Sequence, residues 1–296
     1  MILLDGKALS TQIKETILND FKNLPVDIVK PTLGILQVGN LEESNIYIKH
    51  KINNASVLGI KTMFLKLKEN ADQEEIIAAI KKLSNETNGF IIQLPMMTNK
   101  IKNVNELLNL IPTDKDIDAL NDFNANSDFK NPPYFMSATP LGILILLKAY
   151  GINFNHKTIG VIGQSKIVGK PLTNYFKSLN CNVNAYDKFT SKDNMNQNDI
   201  IIVATGQRDC ITVDQVKNDV VVVDVGIHRI DNKIYGDLNF DEFIKKASYI
   251  TPVPGGVGPM TVIALNLNLI KTWANKNNLW TYLPNIKRIV DVLERK

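Results

Sequence analysis

The chain has 296 residues, with 34 Lys and Arg against 30 Asp and Glu, 44% hydrophobic residues and 22% charged ones. That profile excludes disorder, collagen and coiled coil, and the length suits about two domains with cores of their own. A formal charge of +4, with no dense basic run interleaved with aromatics, argues against nucleic acid as a partner.

The N-terminal MILLDGKALS reaches Asp5 without a basic region before it, so it does not read as a signal peptide. No apolar run approaches the ~18 residues of a membrane span, and GILILL (142–147) stops at Lys148. A cytoplasmic protein without a membrane partner is expected. Leu9, Ile13, Ile17 and Phe21 recur at helical spacing after the DGK turn. TLGILQVG (32–39) reads as a strand, and a long helix follows over roughly 42–58. IKTMFLKL (60–67) is the next strand. Asp72 with Glu75 three residues on predicts a capped helix that carries Ile76, Ile80 and Leu83 on one face. GFIIQLP (89–95) is another buried strand. Near-continuous apolar strands in repeated βα units predict a parallel sheet covered on both faces. The polar loop 121–135, with two prolines, is the best boundary.

The alternation restarts with a helix from Thr139-Pro140 to Tyr150 and a strand, TIGVIG (158–163), that ends in a glycine turn. A helix (about 169–179), strands NVNAY (182–186) and DIIIVATG (199–206), a short helix and strand DVVVVDVG (219–226) follow. The last helix starts near Pro259, buries Ile263, Leu267, Ile270 and Ala274, and is expected to return to the first domain. The expected fold class is α/β: two α/β domains with a cleft between them, the second a Rossmann-like dinucleotide-binding domain. The expected division is 1–138, joined by a C-terminal helix at about 270–296, and 139–269.

Several segments carry chemistry. The turn from Gly163 through Gln164, Ser165 and Val168 to Gly169 follows a strand and opens a helix, the setting in which backbone N–H groups hold a pyrophosphate. It departs from G-x-G-x-x-G, because Ser165 replaces the second glycine and the last sits one place late. A tight connection without a ligand is the alternative. Asp187, just past the next strand, stands where an acid would bind a ribose 2′-hydroxyl, and a surface-turn aspartate fits equally well. Tyr47 and Lys51, four apart, share a helix face, although surface lysines and half-buried tyrosines are common. Gln93 ends an apolar strand, and its amide needs a partner, either a ligand or nearby backbone. The loop Pro112–Asp118 holds three acids; solvated acids are the plain reading, and the spacing is not that of a calcium loop. His50, His156 and His228 form no ligand pair, so no metal is expected, and Cys181 and Cys210 read as unpaired thiols. Three glycines and three prolines in 252–261 fix a backbone that suits either close approach to a flat ligand or a rigid turn.

Together these segments resemble the bifunctional methylenetetrahydrofolate dehydrogenase/methenyltetrahydrofolate cyclohydrolase family over nearly the whole chain. The matching elements are DGK (5–7), SNIYIKHKINNASVLGI (44–60), GFIIQLP (89–95), PTDKDIDAL (112–120), ATP (138–140), VIGQSKIVGKP (161–171), IVATGQ (202–207), VDVGI (223–227) and PVPGGVGPMT (252–261). The resemblance implies oxidation of 5,10-methylenetetrahydrofolate with NADP, then hydrolysis of the methenyl product to 10-formyltetrahydrofolate. It also implies a homodimer and a place in one-carbon metabolism, alongside purine, methionine and histidine biosynthesis.

Residue by residue, the resemblance makes Lys51 the catalytic lysine, Tyr47 the tyrosine beside it, Gln93 the glutamine that meets the lysine and Asp118 the aspartate that holds the pterin. Leu94, Pro95, Pro254, Gly255 and Gly256 join them at the substrate. The cofactor falls to Gly163, Gln164, Ser165, Val168, Gly169, Asp187, Lys188, Thr205, Gly206 and Ile227. Departures are visible. Gln164 stands where many members carry Arg, and Asp187 sets an acid near the ribose, which keeps NAD open as the alternative cofactor. Ala119 replaces the usual Gly after the aspartate, and Ser137-Ala138 stands where Pro-Cys is common. A shikimate- or amino-acid-dehydrogenase-like enzyme would explain the second half alone and leave Tyr47, Lys51, Gln93 and Asp118 without a role. A nucleotide-binding sensor without turnover is a second alternative.

Overall fold

The computed structural model describes residues 1–127, 129, 135–231 and 233–291. The elements run β1 (Ile2–Leu3), α1 (Gly6–Lys22), β2 (Thr32–Val38), α2 (Glu42–Val57), β3 (Lys61–Leu67), α3 (Gln73–Glu86), β4 (Gly89–Gln93), α4 (Val104–Leu108), α5 (Asp122–Ala125) and α6 (Ala138–Ala149). They continue with β5 (Thr158–Ile162), α7 (Gly169–Ser178), β6 (Asn182–Tyr186), β7 (Ile200–Val203), β8 (Val220–Asp224), β9 (His228–Ile230), β10 (Lys233–Tyr235), α8 (Phe240–Phe243), β11 (Ala247–Ile250), α9 (Val257–Asn277) and α10 (Pro284–Val290). Of the boundary loop 121–135, residues 128 and 130–134 lie outside the described residues.

The contacts divide the chain into two units. One, chiefly Ile13–Asn126 and the chain from Val262 on, holds a parallel three-stranded sheet in the order β3-β2-β4. β2 is buried along nearly its whole length, as a central parallel strand should be. β3 instead alternates exposed Lys61, Phe64 and Lys66 with partly buried neighbours, because it is an edge strand. Helix α3 begins where expected: Asp72 Oδ1 accepts from the Glu75 N–H and Glu75 Oε2 from the Asp72 N–H. That box supplies roughly 1 kcal/mol. Ile76, Ile80 and Leu83 pack with Leu36, Phe90 and Ile92 in the core beneath.

The other unit, chiefly Met1–Gln12 and Thr139–Thr261, holds a six-stranded sheet in the order β1-β11-β8-β7-β5-β6, parallel throughout. Its strand order reverses between β5 and β7, the place where doubly wound sheets open a crevice for a ligand. Ile162, Ile201, Val203, Val220 and Val222 build the core with Phe243 and Ile250.

Against the expected division, residues 1–12 group with the second sheet rather than the first, since Ile2 and Leu3 pair with Tyr249 and Ile250. The later boundary falls inside α9, at Thr261/Val262, earlier than the 269/270 expected. No helix among the described residues is long and apolar enough to cross a membrane.

Candidate functional site

In the three-stranded unit, α2 and the carboxyl end of β4 bring two of the singled-out residues into contact. Lys51 Nζ donates to Gln93 Oε1 at 3.0 Å, and Gln93 Nε2 donates to the Leu94 carbonyl at 2.9 Å. The amide therefore has the backbone partner that the sequence left open, and its oxygen meets the lysine. Asp118 supplies the opposite charge to Lys51. Burial pulls the Lys51 ammonium below the ordinary lysine range, and the Asp118 carboxylate partly offsets this. Burial pushes the Asp118 carboxyl up, opposed by Lys51 and by the Ala138 N–H, which donates to Oδ1 at 3.4 Å. Tyr47 lies one helical turn before Lys51 and is 44% exposed. Leu94 follows Gln93 and is joined to Pro95 by a cis peptide bond.

The acidic loop is solvated only in part: Asp114 is exposed, as its composition suggested, but Asp116 is not. Asp116 is 1% exposed, and its carboxylate accepts from the Leu120 and Asn121 N–H groups and from Asn124 Nδ2, each at 3.0 Å. Lys115 turns the other way and donates to the Ser84 and Thr87 carbonyls at the end of α3. Between Asp116 and its donors the chain passes through Ala119 at φ 53, a left-handed conformation that explains why a glycine suits this position.

A residue the sequence gave no reason to single out secures this loop. Asn268 Nδ2, on α9, donates to the Ile117 carbonyl at 2.8 Å and to the Met136 carbonyl at 2.9 Å. It thereby fixes the residue before Asp118 and the segment that leads to Ala138. An asparagine in a helix carries no local signal for a partner 151 residues away.

In the six-stranded unit the glycine turn closes on itself. A Cβ on Gly169 would lie 1.7 Å from the Gly163 carbonyl oxygen, so the late glycine is what lets α7 pack against the end of β5. Gly163 holds φ 94 and donates its N–H to the Tyr186 carbonyl. Ser165 is exposed and Val168, the residue before α7, offers no side-chain cap. Gln164 faces inward: its Nε2 donates to the Val161 carbonyl and its Oε1 accepts from the Thr173 hydroxyl. Both ends of that amide are thus committed to the turn itself.

Asp187 is fully exposed, and its Oδ1 accepts from Thr190 Oγ1 and from the Phe189 and Thr190 N–H groups. Those bonds, the Thr190 hydroxyl first, hold its carboxyl below the ordinary range. Lys188 Nζ lies 4.8 Å from the Phe189 ring centroid. Thr205 and Gly206 form the turn after β7, with Gly206 at φ 66, and Ile227 is 50% exposed. Pro254, Gly255 and Gly256 also belong to this unit, packed on the DGK segment: the Lys7 N–H donates to the Gly255 carbonyl, and Gly6 leaves no room for a Cβ against Gly256. No group of three or more His, Cys, Asp and Glu that could hold a metal ion occurs among the described residues.

The family profile described as tetrahydrofolate dehydrogenase/cyclohydrolase, catalytic domain, matches residues 4–118. That of the NAD(P)-binding domain of the same enzymes matches 137–277. The Bifunctional protein FolD of Metamycoplasma arthritidis is 46% identical over 293 residues, covering 98% of this chain and 99% of that protein. The crystal structure of the bifunctional enzyme FolD from Campylobacter jejuni superposes with a TM-score of 0.88 at 37% identity, over 93% of this chain and 99% of that one. The Trypanosoma brucei dehydrogenase-cyclohydrolase, complexed with NADP cofactor and inhibitor, gives a TM-score of 0.87 at 25% identity, over 94% and 98% of the two chains.

Proposed function

The chain belongs to the tetrahydrofolate dehydrogenase/cyclohydrolase family, and on that premise we propose how its own residues carry the two reactions. It is a bifunctional enzyme that oxidises 5,10-methylenetetrahydrofolate to the 5,10-methenyl form with NADP and hydrolyses that product to 10-formyltetrahydrofolate. The observation that carries the reading is the contact of Lys51 Nζ with Gln93 Oε1 at 3.0 Å, with the Asp118 carboxylate as the nearby counter-charge.

Hydrolysis places water on the cationic methenyl carbon and a proton on the ring nitrogen that leaves it. Lys51, with its affinity for protons lowered by burial, takes one proton of the attacking water and returns it to that nitrogen. The remaining hydroxyl proton passes to solvent as the C–N bond breaks and the formyl carbonyl forms. Gln93 aims the amine, because its own amide is fixed by the Leu94 carbonyl. Asp118 accepts hydrogen bonds from the pterin amino and ring N–H groups. Tyr47, exposed beside Lys51, offers a ring face and a hydroxyl at the edge of the same site. Leu94 and Pro95 line it.

The nucleotide turn fits its cofactor on this chain's own geometry: the close Gly163–Gly169 contact seats α7 directly after β5, and the helix start has no side-chain cap, which leaves its N–H groups for a pyrophosphate. NADP supplies the hydride acceptor. Ser165, Val168 and the backbone of the turn would hold its phosphates, Thr205, Gly206 and Ile227 the far wall, and Lys188 the 2′-phosphate. Gln164 serves by keeping the turn's shape, and its two internal bonds support that role over direct contact. Pro254, Gly255 and Gly256 offer a backbone with little side chain in the way. The same reading carries the family's homodimer, a cytoplasmic site of action and a place in one-carbon metabolism.

Formation of the methenyl product with NADP and NAD in parallel, then its decay in the same sample, tests the reading. Turnover followed by enzyme-dependent decay is the expected result, and absence of turnover with either cofactor would sink it. Asp187→Ser removes an exposed carboxylate that repels a 2′-phosphate, while serine can still close the turn with Thr190 more weakly. The variant is expected to raise the NADP-to-NAD ratio of kcat/KM several-fold. An unchanged ratio would show that Asp187 does not face the ribose.

A further inference from the structure

Two carboxylates that neither reaction uses lie at the carboxyl ends of β7 and β8. Asp237 is fully buried, and its Oδ2 accepts three bonds: from the Thr205 N–H at 2.8 Å, the Thr205 hydroxyl at 2.9 Å and the Gly206 N–H at 3.0 Å. Its Oδ1 lies 2.7 Å from His228 Nε2. Asp224, at the end of β8, braces the neighbouring chain: Oδ1 accepts from the Gly226 and Asp237 N–H groups and Oδ2 from that of Leu238, each at 2.9 Å. Burial, more than the nearby Asp237 charge, pushes the Asp224 carboxyl up to about 6.

Two glycines make room for this pair. A Cβ on Gly226 would lie 2.1 Å from Asp237 Oδ1, and one on Gly236 would lie 2.0 Å from Asp224 Oδ2. A buried carboxylate is tolerated only when its oxygens are satisfied, and here the donors on Oδ2 all come from one two-residue turn. The turn's other side-chain contacts are longer and local, with the Thr205 hydroxyl 3.2 Å from the Gln207 carbonyl and accepting from the Gln207 N–H at 3.1 Å, while Gly206 sits exposed in the left-handed region.

We propose that Asp237, braced by Asp224 and His228, is the positioning residue that holds the Thr205–Gly206 turn in the form the nicotinamide cofactor requires. The proposal rests on the reading of that turn as a wall of the cofactor site. Asp237 acts through the turn rather than on the cofactor itself. Its role calls for an acceptor toward Thr205 and Gly206, not for a charge. An asparagine can keep its oxygen on that side and donate its amide hydrogen to His228 Nε2, with the imidazole proton moved to the other nitrogen.

The test compares Asp237→Leu and Asp237→Asn by calorimetric titration with NADP, by amide hydrogen exchange at Thr205 and Gly206, and by the ratio of dehydrogenase to hydrolysis rates. Hydrolysis needs no nicotinamide and so reports the integrity of the rest of the enzyme. Asp237→Leu is expected to exchange faster at both amides, to weaken NADP binding about tenfold or more, and to lose at least as much dehydrogenase relative to hydrolysis. Asp237→Asn is expected to stay within roughly threefold of the parent on each measure. Parent-like exchange in the Leu variant would overturn the positioning role. Faster exchange with unchanged NADP affinity would instead overturn the reading of the turn as a cofactor wall. Equal loss of both activities in both variants would show a role in the whole fold, against the proposal. Should the Leu variant not fold, His228→Ala removes only the partner of Oδ1 and is expected to speed exchange at Thr205 and Gly206 and to weaken NADP binding about fivefold or more, with exchange and affinity within roughly threefold of the parent counting against the proposal.

Discussion

Lys51→Met is expected to lower methenyltetrahydrofolate hydrolysis by about 10²–10⁴-fold, the range associated with loss of a general acid–base group, while part of the dehydrogenase activity survives. Methionine matches the length of the lysine stem but carries no proton to exchange. It leaves Gln93 Oε1 without its donor, at roughly 1–3 kcal/mol if that oxygen stays dry. Removal of a buried ammonium offsets part of this, so the variant should fold. Hydride transfer depends chiefly on the alignment of two rings, which explains the partial survival of the first reaction. A variant that hydrolyses the methenyl compound at the parent rate would remove Lys51 from the mechanism.

Asp118→Asn is expected to lower kcat/KM for both reactions by roughly 10- to 100-fold, since charge-assisted hydrogen bonds contribute about 1.5–3 kcal/mol. Unaltered folate KM values would show that the carboxylate does not hold the pterin. The same variant moves Lys51 in a defined direction. Burial pulls the lysine down and Asp118 holds it up, so loss of the carboxylate's charge lets it fall further. The parent hydrolysis rate should rise with pH to a plateau as Lys51 loses its proton, with the midpoint below the ordinary lysine range. In Asp118→Asn the midpoint should lie lower still. In Lys51→Met the reverse applies to the aspartate: without the lysine's charge, the Asp118 carboxyl rises further, and pterin binding should weaken earlier as pH falls.

The features legible in the sequence were those fixed by neighbours in the chain. The box of Asp72 and Glu75, the four-residue spacing of Tyr47 and Lys51, the apolar strand that ends in Gln93 and the glycine turn at Gly163 each depend on a few adjacent residues. Features set by distant partners were not. β1 is two residues long, too short for any periodicity, and exists because β11 offers an edge. Asn268 and Asp237 are ordinary polar residues until their partners arrive. The acids of the 112–118 loop were indistinguishable by composition, yet Asp116 turns inward because Leu120, Asn121 and Asn124 present donors to it. Gln164 looked ligand-facing from its place in the turn, and its inward orientation is set by Thr173 on the following helix.

The tie from Asn268 to Ile117 and Met136, and the pairing of Ile2 and Leu3 with Tyr249 and Ile250, also bear on how the enzyme comes into being. During synthesis, the strands β2, β3 and β4 can assemble soon after they leave the ribosome, because they are close in sequence. The aspartate loop must wait for α9, and the edge of the larger sheet for β11. Closure over such separations is slow relative to local pairing. A nascent chain that already carries Lys51, Gln93 and Asp118 therefore lacks the clasp that sets Asp118 in place, so competence for folate chemistry arrives only near the end of translation. Nor does either unit correspond to an unbroken stretch of gene, so a cut at the apparent boundary near residue 138 would strand both halves without a segment they require.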